Sequence, residues 1–127
     1  MKTIYLSSIL LVVLLLTLFS NEQSFAESST KIPVNKQVQI VADVTNAQDR
    51  IQSFAYIVQI QDQNNVTVSL GWLTGALSAH QSLSPALSWI PQTAGNYKAT
   101  IFVWESIDNP SALSPPLTIS LEVVEES

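Results

Sequence analysis

The sequence predicts an all-β protein, an antiparallel β-sandwich of about seven strands preceded by an N-terminal signal helix. Apolar and polar residues alternate with a period of two in several segments, which is the pattern of strands that bury one face. Clusters of Asp, Asn, Gly and Pro separate these segments at short intervals, as turns do in sandwiches. No segment after residue 26 repeats apolar residues with the period of an amphipathic helix over three turns.

The first 26 residues have the composition of a secretory signal peptide. Lys2 gives a basic start, an apolar run covers residues 4–19, and Ser24 and Ala26 are small residues at the positions that signal peptidases require. The run is shorter than the ~20 residues of a membrane-spanning helix. We therefore expect cleavage after Ala26, no membrane span after cleavage, and a secreted or cell-surface location. An uncleaved N-terminal anchor is the alternative.

Composition excludes several classes of function. The 127 residues include 5 Lys plus Arg and 10 Asp plus Glu, for a formal net charge of −5, whereas nucleic-acid binding depends on a basic surface. The chain has no cysteine, which excludes disulfides, thiol catalysis and thiolate metal sites. A single histidine leaves too few imidazole ligands for a zinc or copper site. We expect no metal, no cofactor and no nucleic-acid partner.

The first half of the domain predicts two strands and a hairpin. Alternation predicts strands over residues 38–46 and 54–62. Residues 62–65 (Asp-Gln-Asn-Asn) favour a turn, because such side chains bond their own backbone and tolerate positive φ. A strand over residues 66–73 would then complete a hairpin, and Gly71 within it indicates a bulge or close packing.

The second half predicts shorter strands and longer connections. Residues 75–81 are small and polar and predict a connection. Pro85 interrupts a short strand over residues 83–89, which should lie at a sheet edge or carry a bulge because proline donates no ladder hydrogen bond. The later elements are a strand over residues 97–104, a proline-containing loop over 106–116 and a last strand over 117–123.

The predicted organisation is a single domain behind a leader. It comprises a signal peptide over residues 1–26, an N-terminal segment with a candidate edge strand over 27–36, a sandwich over 37–124 and a tail over 125–127. A small closed barrel is the alternative architecture. Barrels have evenly spaced strands, so the long connection before the last strand fits a sandwich better.

One corner of the sequence resembles a known family. The segments SWIP (residues 88–91) and AGNYKATI (residues 94–101) resemble the E-to-F corner of immunoglobulin-like domains. The resemblance covers residues 34–124 and is to Ig-like modules of the exported, cell-envelope adhesion type found in archaeal and bacterial secreted proteins. It implies an Ig-like sandwich in which the Tyr97 hydroxyl bonds back to the corner backbone. The Cys…Trp…Cys framework of antibody domains is absent, and the fold alone leaves function open.

The titratable residues form no recognisable catalytic constellation, so we expect the protein not to be an enzyme. His80 lies in a polar segment without a nucleophile-elbow pattern, and a solvated loop histidine is the favoured interpretation. A weak calcium site over residues 105–109 is a minor alternative. The carboxylates available for glycosidase-type pairs fall on exposed strand faces or in loops: Asp43, Asp62, Glu105 and Asp108.

Aromatic residues supply the candidate interface. Trp89 shares a strand side with apolar residues and is expected in the core, whereas alternation places Phe102 and Trp104 on the outer face of their strand. With Trp72 they form a candidate exposed apolar patch, a feature that often marks an interface. The alternative is that a bulge or the 106–116 loop covers them.

These observations favour a non-catalytic secreted or cell-envelope Ig-like module that mediates protein–protein interaction, with an extracellular protein or the chain itself as partner. One alternative is a self-assembling surface or filament subunit, in which residues 28–34 are donated as a strand. Another is a carbohydrate-binding module that stacks sugars on exposed aromatic side chains.

Asn65-Val66-Thr67 is the only Asn-x-Ser/Thr sequon without a central proline. It falls at the predicted hairpin turn of an exported protein, where a glycan could be attached. Asn65 is therefore a candidate glycosylation site.

Overall fold

The computed structural model describes residues 4–7 and 30–125. All secondary-structure elements in that part of the chain are β-strands. The all-β prediction is therefore confirmed. No helix capable of crossing a membrane occurs among these residues. Most of the predicted signal helix, including Ala26, lies outside the described residues. The exception is β1 (Ile4–Ser7), which forms a strand beside residues 43–46, where a helix was predicted.

One layer of the sandwich is a five-stranded sheet. All its neighbouring strands are antiparallel except the first pair, which is parallel. Its spatial order is β2 (Thr30–Pro33), β10 (Ala112–Val124), β9 (Gly95–Trp104), β5 (Gln52–Gln61) and β6 (Thr67–Leu77).

The other layer consists of two smaller sheets. β3 (Val38–Val41) pairs with β8 (Ala86–Trp89), and β4 (Asp43–Asn46) lies between β1 and β7 (Ser82–Leu83). The single strands predicted over residues 38–46 and 83–89 are thus each divided. The first changes partners at the buried Ala42, and the second is interrupted at Pro85, which cannot donate to a ladder.

The hydrophobic core lies between the layers and follows the predicted alternation. On β9 the inward-facing residues Ala99, Ile101 and Val103 have no exposed surface. Tyr56 is fully buried, and its hydroxyl donates to the Ile40 carbonyl oxygen across the core at 3.1 Å. Burial raises the pKa of Tyr56 well above its usual range, so the hydroxyl stays protonated as a donor.

The Ig-like corner has the geometry that the resemblance implied. Tyr97 donates its hydroxyl hydrogen to the Thr93 carbonyl oxygen at 2.7 Å. The ring of Trp89 meets that of Tyr97 edge-on, with centroids 5.1 Å apart. This pair joins the end of β8 to the start of β9 and partly buries both rings against the core.

The β5–β6 hairpin is longer than predicted. β6 continues to Leu77, into the first three residues of the segment predicted as a connection, because it pairs with β5 as far as Gln52. Of the two alternatives predicted at Gly71, the bulge is wrong, because the register shift occurs between Ile60 and Gln61. A Cβ atom at Gly71 would lie 3.8 Å from Leu87 Cδ1, which is an ordinary packing distance. The close approach is at Gly75, where a Cβ atom would lie 3.2 Å from Phe54 Cε1.

The last strand also begins earlier than predicted. β10 starts at Ala112, inside the segment predicted as a loop over residues 106–116. Its register with β9 shifts between Ser114 and Leu117, which are the residues flanking the two prolines. The prolines are therefore tolerated because the ladder is irregular where they occur.

A buried amide network closes one end of the sandwich. Asn46 has no exposed surface, and Gln48 and Gln52 are also buried. Gln48 Nε2 donates to Gln52 Oε1 at 2.9 Å. Asn46 Nδ2 lies within hydrogen-bond distance of three carbonyl oxygens, those of Arg50 (2.8 Å), Leu77 (3.1 Å) and Ser78 (2.9 Å). The network thus ties the loop after β4 to the end of β6.

Candidate functional site

The five-stranded sheet brings the three predicted interface residues onto one surface. Ile57 of β5 is paired with Trp72 of β6 on one side and with Phe102 of β9 on the other, so the three form a row across the strands. Trp104 lies in the next row, two residues farther along β9, and its ring centroid is 5.9 Å from that of Phe102. Leu70 lies on the same side of β6 as Trp72. We call the surface formed by these five residues the aromatic face: Ile57, Leu70, Trp72, Phe102 and Trp104.

The aromatic face points away from the core. Residues 99, 101 and 103 of β9 point inward, so Phe102 and Trp104 project from the opposite side of the sheet. Trp72 is 53% exposed and Leu70 is 56% exposed. Phe102 and Trp104 are half-buried, an outcome between the exposed patch and the covered patch considered above. Ile57 is only 5% exposed, although it lies on this outer surface between two aromatic neighbours.

The outer surface becomes more polar, row by row, from the aromatic face toward the β5–β6 turn. The row beside Trp72 and Phe102 contains Gln59 and Thr100, which are uncharged hydrogen-bonding residues. Gln59 Nε2 donates to the Thr67 hydroxyl at 3.1 Å. The first charged residue along β9 is Lys98, one row farther on. A partner that binds the row of Trp72, Ile57 and Phe102 therefore need not desolvate a charge in that row or in the row of Gln59 and Thr100.

His80 does not take part in this surface. It lies in the connection after β6 with a φ of 61°. Its Nε2 atom is 2.6 Å from Asp49 Oδ1, and the two side chains are 63% and 97% exposed. This is a solvated surface pair, for which contributions to stability are small.

The carboxylates serve turns and surface contacts. Asp62 Oδ1 accepts from the backbone N–H groups of Asn64 (2.8 Å) and Val66 (3.0 Å) at the β5–β6 turn. Asp43 Oδ1 accepts from the Ser84 hydroxyl at 2.6 Å. Within residues 4–7 and 30–125, no three His, Cys, Asp or Glu side chains are grouped so that they could hold a metal ion.

The candidate glycosylation residue occupies the tip of the same hairpin. Asn65 is exposed and has a φ of 64°, a left-handed conformation that asparagine tolerates better than most residues. The structure thus places the sequon at a surface turn, and glycan attachment stays a prediction.

Two members of the aromatic face, Leu70 and Ile57, were missed from the sequence. Leu70 lies on the same side of β6 as the predicted Trp72 by simple alternation, so a signal for it was available. The position of Ile57 between Trp72 and Phe102 was not available, because it depends on the register of β5 with both of its neighbours.

No family model and no curated protein matches the chain. Solved structures do match. The crystal structure of a CARDB domain from Pyrococcus furiosus, in complex with di-metal ions, has a TM-score of 0.61 at 17% identity, over 98% of this chain and 94% of that chain. The solution structure of a CARDB domain from the same organism has a TM-score of 0.60 at 18% identity, over 98% and 95%.

Two further structures resemble parts of the chain. The C-terminal domain of Wzt has a TM-score of 0.60 at 12% identity, over 76% of this chain and 65% of that chain. A β-glucuronidase from glycoside hydrolase family 2 has a TM-score of 0.58 at 14% identity, over 71% of this chain but only 10% of that chain. Identities this low show a shared fold and nothing more. On this evidence the chain has an Ig-like β-sandwich fold, as its corner sequence implied.

Proposed function

We propose that the protein is a non-catalytic, secreted or cell-envelope Ig-like module that binds a protein partner through the aromatic face. The observation that carries this proposal is the row of Trp72, Ile57 and Phe102 with Trp104 beside it. Aromatic residues are enriched and charges depleted at the centres of protein interfaces. Large exposed aromatic side chains are also the usual hot spots of such interfaces.

The surroundings of the titratable groups support the absence of catalysis. A general base needs a nucleophile and an orienting acid within hydrogen-bond distance. His80 contacts Asp49 in an open, solvated pair, and Asp62 is engaged with turn backbone. The β-glucuronidase shares only a tenth of its length with this chain, so its activity is not transferred. The composition of residues 1–26 supports export.

Carbohydrate binding is a second candidate, favoured by one observation. The row next to the exposed ring of Trp72 contains the Gln59 amide and the hydroxyl groups of Thr100 and Thr118. The two hydroxyl oxygens are 3.5 Å apart. Rings that stack on sugars, with uncharged donors beside them, are the chemistry that a glycan requires. Titration with soluble glycans tests it, because a bound sugar would change the fluorescence of Trp72.

Site-specific photocrosslinking in the native host tests the protein-binding proposal. A photoreactive phenylalanine at Thr74, next to Trp72 on the outer side of β6, should give a discrete adduct with one partner protein. Trp72→Ser in the same chain should abolish that adduct and leave thermal stability nearly unchanged, because the side chain is 53% exposed. Trp72 is a better probe than Trp104, whose half-buried ring also supports the fold.

Ile90→Ser is the matched control, since Ile90 is 49% exposed and lies in the connection between β8 and β9, away from the aromatic face. It should leave the adduct intact. An adduct that survives Trp72→Ser, or that is lost equally with Ile90→Ser, would show that the aromatic face does not carry binding.

A further inference from the structure

We infer that β6 is an assembly edge, at which a second copy of this chain adds its own β6 in antiparallel orientation, so that two five-stranded sheets become one continuous sheet. The inference concerns the edge of the sheet, whereas the proposed function concerns its face. It therefore stands or falls separately from that proposal.

β6 is a long edge strand. It spans 11 residues and pairs with β5 on one side, and it ends the order of the five-stranded sheet. Its pairing with β5 is regular from Ser69 to Leu77, after the register shift near the turn. No described strand pairs with its other side. Alternate backbone N–H and C=O groups along that side are consequently free to bond another strand.

The other sheet edges in the described part of the chain carry protection that β6 lacks. All of them are short. β1, β2, β3 and β8 have four residues each and β7 has two, and β2 also contains Lys31 and Pro33. Short length, lysine and proline are the devices by which natural edge strands avoid pairing. β6, with the sequence TVSLGWLTGAL, contains no proline and no charged residue.

A second copy is the occupant that this sequence fits. In an antiparallel pair related by a two-fold axis, each strand faces its own sequence, so any charge near the axis would face a like charge. β6 has none to repel, although the chain as a whole has a formal net charge of −5. A two-fold axis near Trp72 places Leu70 of one copy opposite Thr74 of the other, and outer residues stay opposite outer residues.

The edge is also continuous with the aromatic face. Leu70 and Trp72 belong to both, and they are 56% and 53% exposed. Pairing at β6 would bring these side chains together with their copies on the outer surface, where cross-strand aromatic and aliphatic pairs are favourable. The edge thus offers main-chain hydrogen bonds and apolar contacts at the same place.

The structure makes this route more direct than the strand donation considered from the sequence. Residues 30–33 of the segment proposed for donation already form β2, which pairs with β10 of the same chain. Donation would require that ladder to break first. Pairing at β6 breaks no described strand pair.

Light scattering over a concentration series tests the state of assembly. The protein produced from the full 127-residue sequence should show a mass that rises from one chain to two. Leu70→Lys places a charged side chain on the edge strand, where lysine opposes pairing, and removes an apolar side chain from the contact, so it should weaken the dimer by about tenfold or more. Leu83→Lys is the matched control, because Leu83 is 42% exposed on β7 in the other layer, and it should leave the dimer unchanged.

Single cysteines locate the contact, which is straightforward because the chain has none of its own. Opposed residues of antiparallel strands have Cα atoms ~4.5–5.5 Å apart, within the range of a disulfide. Under mild oxidation, cysteines placed in turn at residues 70, 72, 74 and 76 should give a dimer yield with a sharp maximum at the axis. Cysteine at Ser88 or Thr118, both exposed on other strands, should give little.

A protein that stays monomeric at all concentrations, or a cross-linking profile that is flat along β6 or highest at Thr118, would overturn the inference. The mass of the Thr74 adduct separates the two proposals. An adduct with the added mass of another protein reports on the face, whereas an adduct with the mass of two copies reports on the edge, because Thr74 would lie opposite Leu70 of the second copy. The two proposals can therefore fail independently.

Discussion

Asn46 is the residue whose replacement should damage the fold most for its size. Its side chain is fully buried, and its Nδ2 atom lies 2.8, 3.1 and 2.9 Å from the carbonyl oxygens of Arg50, Leu77 and Ser78. Its Oδ1 atom accepts from the backbone N–H of Gln48 at 3.0 Å. Asn46→Ala removes all of these contacts at once.

The magnitude follows from the groups that lose their partner. The contacts with Gln48 and Leu77 are buried, so their loss leaves a buried N–H and a buried carbonyl each with one hydrogen bond fewer. Each such group costs about 1–3 kcal/mol. The contacts with Arg50 and Ser78 are partly buried and are replaced by water at lower cost. We expect a loss of about 3 kcal/mol, which lowers the melting temperature by about 12–20 °C for a domain of this size.

Urea denaturation followed by tryptophan fluorescence and circular dichroism measures this loss. The midpoint should fall while the slope stays constant, since the surface exposed on unfolding hardly changes. A loss below about 1 kcal/mol would refute the reasoning, because that is the typical value of one ordinary hydrogen bond.

Asn46→Asp tests the direction in which the stability loss changes with pH. The introduced carboxylate would face the three carbonyl oxygens, and burial and this repulsion both raise its pKa above the ordinary value of about 3.9. The folded state then holds the proton more tightly than the unfolded state. The deficit relative to the Asn46 protein should be smallest below about pH 3.9 and should grow as the pH rises through the folded pKa. A deficit independent of pH would show that the introduced carboxylate is solvated.

Three further outcomes are expected. Tyr97→Phe should lower the unfolding free energy by about 1 kcal/mol, measured by urea denaturation, because it removes the hydroxyl bond to the Thr93 carbonyl; no change would mean that the corner bond is dispensable. His80→Ala should shift the melting temperature by less than about 2 °C at both pH 5 and pH 7, since the pair with Asp49 is exposed; a large drop at pH 5 alone would contradict this. Intact mass spectrometry of the exported protein should show a mass above that of the polypeptide, and Asn65→Gln should remove the excess; equal masses would exclude a glycan.

β9 is the strand in which the predicted alternation agrees best with the observed burial. β9 alternates without interruption, and the residues predicted to point inward, Ala99, Ile101 and Val103, are all fully buried. The turn at residues 62–65 formed as its composition indicated, with Asp62 capping the backbone. Local sequence was sufficient in both places because the determining contacts are local.

Other features depended on contacts distant in sequence. Alternation continues through Ala42, yet the chain changes sheets there, because its partner changes from β8 to β7. β6 extends through small residues to Leu77 because β5 offers a ladder that long. Small residues seldom predict a strand alone, and the availability of a neighbour decides their conformation.

The aromatic face was predictable only in part, because it combines a local pattern within one strand with the register between strands. Alternation within one strand placed Phe102 and Trp104 together on the outer side. Their proximity to Trp72 is a property of the β5 register, which aligns Ile57 with both strands. The buried network around Asn46 had no sequence signal, since isolated Asn and Gln residues resemble any polar loop.

The parallel pairing of β2 with β10 determines how the domain would respond to force. Thr30 lies beside Leu121 and Pro33 beside Val124, and the Val34 N–H continues the contact to the Val124 carbonyl oxygen at 2.9 Å. Tension applied between residue 30 and residue 124 runs along the two strands in opposite directions. The ladder is then loaded in shear, and its hydrogen bonds must yield together rather than one after another. A module pulled at residues 30 and 124 would therefore be clamped by β2 and β10.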